Sequence, residues 1–178
     1  MVVILDALSS ADIEAYRAML DAVEHRKLIC GFLAGREEMR RWEPADLFQF
    51  CHDTTPILGS LDSIVKQVDA EAVNRAIRTG ACNIYHGCVH NMLFERDARA
   101  LRGLYKAATF VIRARVFQEH GCFCRSLREL SDHADAEDLG IIEAYDHLNR
   151  DGDSDFCGLS ELLFSWAQRI LWTLPAFN

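Results

Sequence analysis

The chain has 178 residues and a formal charge of −8; half of it is hydrophobic, with only 10 glycines and 3 prolines. That length suits one domain, or a domain plus a fragment, burying about 70% of its unfolded surface, and the composition is not that of a disordered segment. The acidic balance argues against a general nucleic-acid coat, whose affinity comes from cations that neutralise phosphates.

Seven cysteines at irregular spacing, two of them inside an expected helix, read as free thiols of a reducing cytoplasm. Met1 to Leu5 is too short for the apolar core of a secretion signal. No apolar run approaches the roughly 18 residues of a membrane span, so no membrane association is expected.

In chain order, Val2 to Leu5 is a short apolar run that predicts a buried strand. Ser9 or Ser10 can cap a helix on which Ile13, Tyr16, Leu20 and Val23 share a face. Lys27 to Leu33 predicts a second strand, so residues 1–35 read as β-α-β. Two lone strands make a poor sheet, and either pair with another chain or belong to a larger sheet. Past Gly35 the strand signal stops. A charged helix from Arg36 to Trp42 precedes one opened by Pro44 and closed near His52, before Asp53-Thr-Thr-Pro56. A short helix follows Gly59-Ser60, and Asp69 caps the first of two long helices.

That first long helix spreads Ile77, Ala81, Ile84, Tyr85, Cys88, Val89, Met92 and Leu93 over one side at about 100° per residue. Gly80, Gly87 and Asn91 fall on another side. Each mid-helix glycine costs about 1 kcal/mol relative to Ala, so close approach of a second backbone is expected there. Cys82, His86 and His90 form a third row. Glu95 to Ala98 turns the chain into the second long helix, which Gly121 stops. Its Arg99, Arg102, Lys106, Thr109 and Arg113 line up as a basic stripe. If the two helices run antiparallel, the stripe can approach His86 and His90 and form a cleft for an anion. Ser126-Leu-Arg-Glu129 matches a capping box. Further helices cover Ala136 to Asn149 and Leu159 to Ile170, ending before Pro175.

Three constellations invite sharper chemistry. His86 and His90, at i and i+4, could share an ion, but Cys88 faces the apolar stripe and there is no His-Glu-x-x-His pattern, so no metal site is expected. Asp151-Gly-Asp-Ser-Asp155 opens like a calcium loop, yet Phe156 and Leu162 stand where that loop needs Gly and Glu. It reads as a loop whose Asp155 caps the last helix. Arg115-x-x-x-x-His120 matches the Arg-x4-His spacing of ribonucleases of the HEPN superfamily, although in an unbroken helix the two side chains diverge by about 140°.

Several stretches in order carry a family resemblance: Cys30-Gly-Phe-Leu-Ala-Gly-Arg-Glu-Glu38, Asp46-Leu-Phe-Gln-Phe-Cys-His-Asp-Thr-Thr-Pro56, Gly59-Ser-Leu-Asp62, Cys82-Asn-Ile-Tyr-His86 and Leu101-Arg-Gly-Leu-Tyr-Lys-Ala107. They resemble the C-terminal part of bacterial and archaeal nucleotidyltransferase-domain proteins. There a helical domain, similar to the HEPN and kanamycin-nucleotidyltransferase C-terminal domains, follows a small catalytic domain. The resemblance implies a mainly α fold: a β-α-β remnant of a nucleotidyltransferase-like sheet over 1–35 and a helical bundle over 36–178. In such enzymes a Gly-Ser turn leads into a strand bearing Asp-x-Asp, whose carboxylates hold the divalent metals. Val2 to Asp6 looks like the tail of that strand, with the Gly-Ser turn and the Asp pair expected before Met1. Magnesium is therefore expected only with an upstream catalytic domain, and no transferase activity is expected of the chain as it stands.

The leading expectation is a helical domain that binds a nucleotide or phosphorylated small molecule through Asp53, His86, His90 and Lys106. It would also dimerise with a second copy through the open strand edge or the bundle. One alternative is a HEPN-type ribonuclease or toxin–antitoxin component using Arg115 and His120. Another is a non-catalytic helical interaction scaffold.

Overall fold

The computed structural model describes residues 1–29, 31–150 and 155–176. Cys30 and most of the calcium-like loop, residues 151–154, lie outside the described residues. The protein is mainly α, with a two-stranded parallel sheet ahead of a helical bundle. The contacts divide it into two compact units, Met1–Gln67 and Val68–Asn178.

The first unit opens with β1 (Val2–Leu5), α1 (Ser10–Asp21) and β2 (Phe32–Gly35). The strands pair with each other in parallel, Val2 opposite Phe32 and Leu5 opposite Gly35. A parallel pair needs a crossover, and α1 supplies it. Ser9 caps α1 in a full capping box: its hydroxyl accepts from the Asp12 N–H, and the Asp12 carboxylate accepts from the Ser9 N–H at 2.8 Å.

The second strand begins later than Lys27. His25 takes a left-handed conformation and residues Arg26–Leu28 form a 3₁₀ turn, leaving Leu28 exposed. The apolar pair Leu28-Ile29 looked like strand, but register with Val2–Leu5 is met only from Phe32 onward. The expected face of α1 is also corrected. Leu20 is buried, whereas Ile13 and Val23 are exposed, and Met19 beside them is exposed too.

Three helices complete this unit: α2 (Arg36–Arg40), α3 (Pro44–Asp53) and α4 (Asp62–Val65). Pro44 occupies the first turn of α3, where no N–H is needed, and the Glu43 side chain accepts from the Ala45 N–H. Met39, Leu47, Phe48 and Ile64 form the buried centre. The Phe32 ring meets Trp42 and Phe50 edge-on, at 5.6 and 6.0 Å between centroids.

The second unit is built around α5 (Ala70–His90), capped by Asp69, whose carboxylate accepts from the Ala72 N–H at 2.7 Å. A π-helical turn over Asn91–Glu95 leads into α6 (Ala98–His120). The two helices run antiparallel with their closest approach at the glycines: Gly80 lies against Val111, and Gly87 against Leu104. Ile77, Ala81, Ile84 and Cys88 are buried on the apolar stripe. On this side α9 (Phe156–Thr173) packs against α5, with Tyr85 against Phe164 at 5.1 Å between ring centroids. The helix is thus covered from two sides, as its glycines and its stripe foretell.

Helices α7 (Leu127–His133) and α8 (Ala136–Arg150) pack on α6. Ser126 and Glu129 form the expected capping box of α7. Asp155 caps α9 by accepting from the Gly158 N–H at 3.0 Å.

A buried polar knot ties α6, α8 and α9 together. Arg115 donates to the Asp138 carboxylate, and the Trp166 indole N–H donates to Asp138 Oδ1 at 2.7 Å. Asp135 adds a second partner for Arg115 at 3.3 Å. Burial pushes the Asp138 carboxyl above its ordinary value, although Arg115 and Trp166 both oppose that shift. Tyr105, wholly buried, donates to the Leu159 carbonyl at 2.8 Å, joining α6 to α9.

Two further expectations are corrected. Met92 and Leu93 do not extend the buried stripe; both are exposed, because the helix widens into the π turn at Asn91 and re-aims them. The basic stripe of α6 is not one continuous face. Thr109 is buried with its hydroxyl donating to the Lys106 carbonyl, and Arg113 is buried with its guanidinium over the Phe110 ring at 5.5 Å.

Candidate functional site

The C-terminal end of α5 gathers the features that suit ligand chemistry. One turn apart, His86 and His90 project from the same row with ring centroids 6.4 Å apart. Phe94, one turn further on, lies 5.1 Å from the His90 ring. With Tyr85 and Val89 these side chains line a groove of about 400 Å³. His90 Nε2 is 3.4 Å from the Glu95 carboxylate. The rings offer flat faces, and the imidazoles offer nitrogens that either donate or accept.

The turn that follows is set by Asn91. Its side chain, buried among the helices, donates to the Asp97 carbonyl at 3.0 Å and accepts from the Asp97 N–H at 2.9 Å. Both prongs of one amide thus satisfy one residue's backbone. Arg96 closes the turn in a left-handed conformation, its N–H donating to the Asn91 carbonyl at 2.7 Å. The Asp97 carboxylate then caps α6 through the Arg99 N–H.

A second pocket has a volume of about 440 Å³. It is walled by Met92, Phe156 and Phe164 and carries Arg96, Cys157, Ser160 and Glu161. The Arg96 guanidinium sits over the Phe156 ring at 5.9 Å and donates to Cys157 Sγ at 3.9 Å.

Of the residues expected to bind substrate, the structure brings together His86 and His90. Lys106 is exposed on α6, but it does not line the groove. Asp53 ends α3 in the first unit, where its carboxylate accepts from Gln49. The alternative pair, Arg115 and His120, have different partners. Arg115 is held by Asp135 and Asp138, while His120 meets the His133 ring at 5.9 Å between centroids.

No group of three or more His, Cys, Asp or Glu side chains among the described residues is placed to hold a metal ion. Cys88 is fully buried, and burial pushes its thiol up to about 12, so it stays protonated at neutral pH. Cys51, Cys82, Cys122, Cys124 and Cys157 are, like Cys88, free thiols. Among the described residues no helix is long and apolar enough to cross a membrane.

Asn91, Arg96 and Ser160 escaped the sequence reading. For Asn91 a signal existed: it shares the face of Gly80 and Gly87, so a polar side chain was due to arrive at the α6 contact. Arg96 had none, because a left-handed arginine after a π turn has no local signature. Ser160 sits among apolar residues at a helical spacing that does not tell a packed hydroxyl from a ligand-facing one. Comparison with protein-family models, with curated proteins and with solved structures gave no match for this chain.

Proposed function

We propose that the chain is a helical nucleotide-binding and dimerisation module of the kind that accompanies nucleotidyltransferase domains, working in a reducing cytoplasm. The observation that carries the reading is the groove of Tyr85, His86, Val89, His90 and Phe94. Every nucleobase has a π-face, and stacking on an aromatic ring is worth about 1–3 kcal/mol. Phe94, exposed beside the two imidazoles, supplies such a surface. The ring nitrogens of His90, one turn away, and His86, two turns away, supply hydrogen bonds to a base edge or a phosphate oxygen. Lys106 lies on the exposed side of α6 and contributes long-range attraction for an anion rather than a wall of the site.

A second copy of the chain covers the first unit. A two-stranded sheet leaves both outer edges unpaired. Ile13, Met19, Val23 and Leu28 are exposed in the same unit, an apolar surface that association would bury.

The ribonuclease reading receives less support. Arg115 is engaged by two carboxylates, one of them buried, and releasing it to act with His120 would strand Asp138 in the core.

Isothermal calorimetry with adenosine triphosphate and magnesium, repeated with adenosine, tests the binding reading. Binding of both, weakened by Phe94→Ala and by the His86→Ala/His90→Ala pair, is expected. No heat with any of the common nucleoside triphosphates at millimolar concentration would refute it. Light scattering at micromolar concentration tests the dimer, and a monomeric mass overturns it.

A further inference from the structure

The second pocket has a chemistry that the groove lacks. Its walls are mostly carbon: Met92 from the π turn, and Phe156 and Phe164 from α9. Its lining includes one cation, Arg96, and one carboxylate, Glu161. It also contains a hydroxyl without a partner: Ser160 is fully buried, and its Oγ makes no hydrogen bond. A buried hydroxyl left unpaired is a standing cost that folding alone does not justify. Serines in helices ordinarily satisfy themselves on the carbonyl four residues back, and Ser160 does not.

The placement of Arg96 is costly in the same sense. A non-glycine residue in the left-handed region is disfavoured, and this one is held there by the Asn91 carbonyl. The result sets the guanidinium over Phe156 and beside the Cys157 sulfur, at the rim of the pocket.

We propose that this pocket, formed by the α5–α6 turn and the first turns of α9, binds a small planar aromatic monocarboxylate. The carboxylate pairs with Arg96, the Ser160 hydroxyl gains its missing partner, and the ring lies between Phe156 and Phe164. Planar recognition of a carboxylate is what a guanidinium does best. One cation opposed by Glu161 suits a monoanion and rejects a phosphate dianion. A volume of about 440 Å³ falls within the range of small-molecule sites. The inference does not rest on the nucleotide groove, which has different walls.

Cys157 provides a reporter, because it is exposed and lines the pocket, while Cys82 is exposed outside it. The full chain is treated with iodoacetamide, and alkylation of the two thiols is followed by mass spectrometry with and without benzoate. Benzoate is expected to slow Cys157 in a saturable manner and leave Cys82 unchanged. Benzamide, of the same shape without the charge, protects far less. Arg96→Asn removes the guanidinium while placing a residue that tolerates the left-handed backbone, and weakens protection by about tenfold or more. Ser160→Ala removes the unpaired hydroxyl, so the melting temperature of the free protein rises while benzoate binds several-fold more weakly. Equal slowing of both thiols, equal protection by benzamide or by inorganic phosphate, or indifference to Arg96→Asn would each overturn the proposal. A Ser160→Ala protein that melts lower would do the same.

Discussion

The antiparallel seam between α5 and α6 makes a sharp prediction, since its two glycines meet different neighbours. A methyl added at Gly80 would lie 2.5 Å from Val111 Cγ2, and one at Gly87 would lie 2.6 Å from Leu104 Cδ2. Carbon atoms prefer about 3.5–4.0 Å, so each site is short by roughly 1 Å. Leu104 can yield, because the contact is the tip of a flexible side chain that is not fully buried. Val111 cannot: it is buried, and a β-branched side chain in a helix has one strongly preferred rotamer. Overpacking costs about 1–3 kcal/mol, and Gly→Ala in a helix returns about 1 kcal/mol. Gly80→Ala should therefore destabilise the protein by up to about 2 kcal/mol, while Gly87→Ala should be neutral or mildly stabilising. Val111→Ala alone should cost about 2 kcal/mol through the cavity it leaves. In the double variant Gly80→Ala/Val111→Ala the new methyl fills that cavity, so the combined cost should fall well below the sum, with a coupling of about 2 kcal/mol. Urea titration followed by circular dichroism at 222 nm measures all four proteins. A stabilising Gly80→Ala, or simple additivity in the double variant, would refute the close approach as the reason for the glycine.

Asn91→Ala removes both hydrogen bonds to Asp97 and leaves that backbone unpaired; a loss of about 2–3 kcal/mol is expected in the same titration, and a change below about 0.5 kcal/mol would contradict it. Asp138→Asn keeps an oxygen for the Trp166 N–H and removes the charge. Because burial raises the Asp138 pKa, the folded state holds this proton more tightly than the unfolded chain, so that contribution is fully present at low pH and fades as pH rises through the folded value. The melting temperature of the native protein minus that of Asp138→Asn should therefore fall as pH is raised from about 4 toward 7, and a difference that grows instead is the opposing result. Ser126→Ala breaks the capping box of α7 at a cost of about 1 kcal/mol, with faster hydrogen exchange confined to Leu127–His133; unchanged exchange there would count against the cap.

What could be read in advance followed how local each signal is. Ser9, Asp69, Ser126 and Asp155 announced helix starts because a cap depends on a side chain and a backbone N–H two or three residues away. Gly80 and Gly87 announced a close contact because a mid-helix glycine needs a compensating reason. The second strand was misplaced because its register depends on Val2–Leu5, some thirty residues upstream, and not on the apolar run itself. Arg113 and Thr109 fall in the basic stripe by periodicity, which reports a face, not what covers it. Here the Arg125 carbonyl and the Phe110 ring accommodate the guanidinium. At the candidate site His86 and His90 were legible as an i, i+4 pair. The groove around them was not, since Tyr85 and Val89, from the apolar side of α5, also line it.

Asn91 does at a helix corner what a rung of sheet does between strands, but it does so with a side chain. Backbone pairing tolerates almost any sequence; this corner depends on one side chain, whose amide presents a donor and an acceptor to the Asp97 backbone. The main-chain carbonyl at position 91 also accepts from the Arg96 N–H, so the corner that the Asn91 side chain fixes is the one that carries the cation to the pocket. A variant at position 91 that still folds would have to rebuild the corner, and in rebuilding it would move the guanidinium. Selection on the pocket alone would leave a footprint at a residue that touches no ligand.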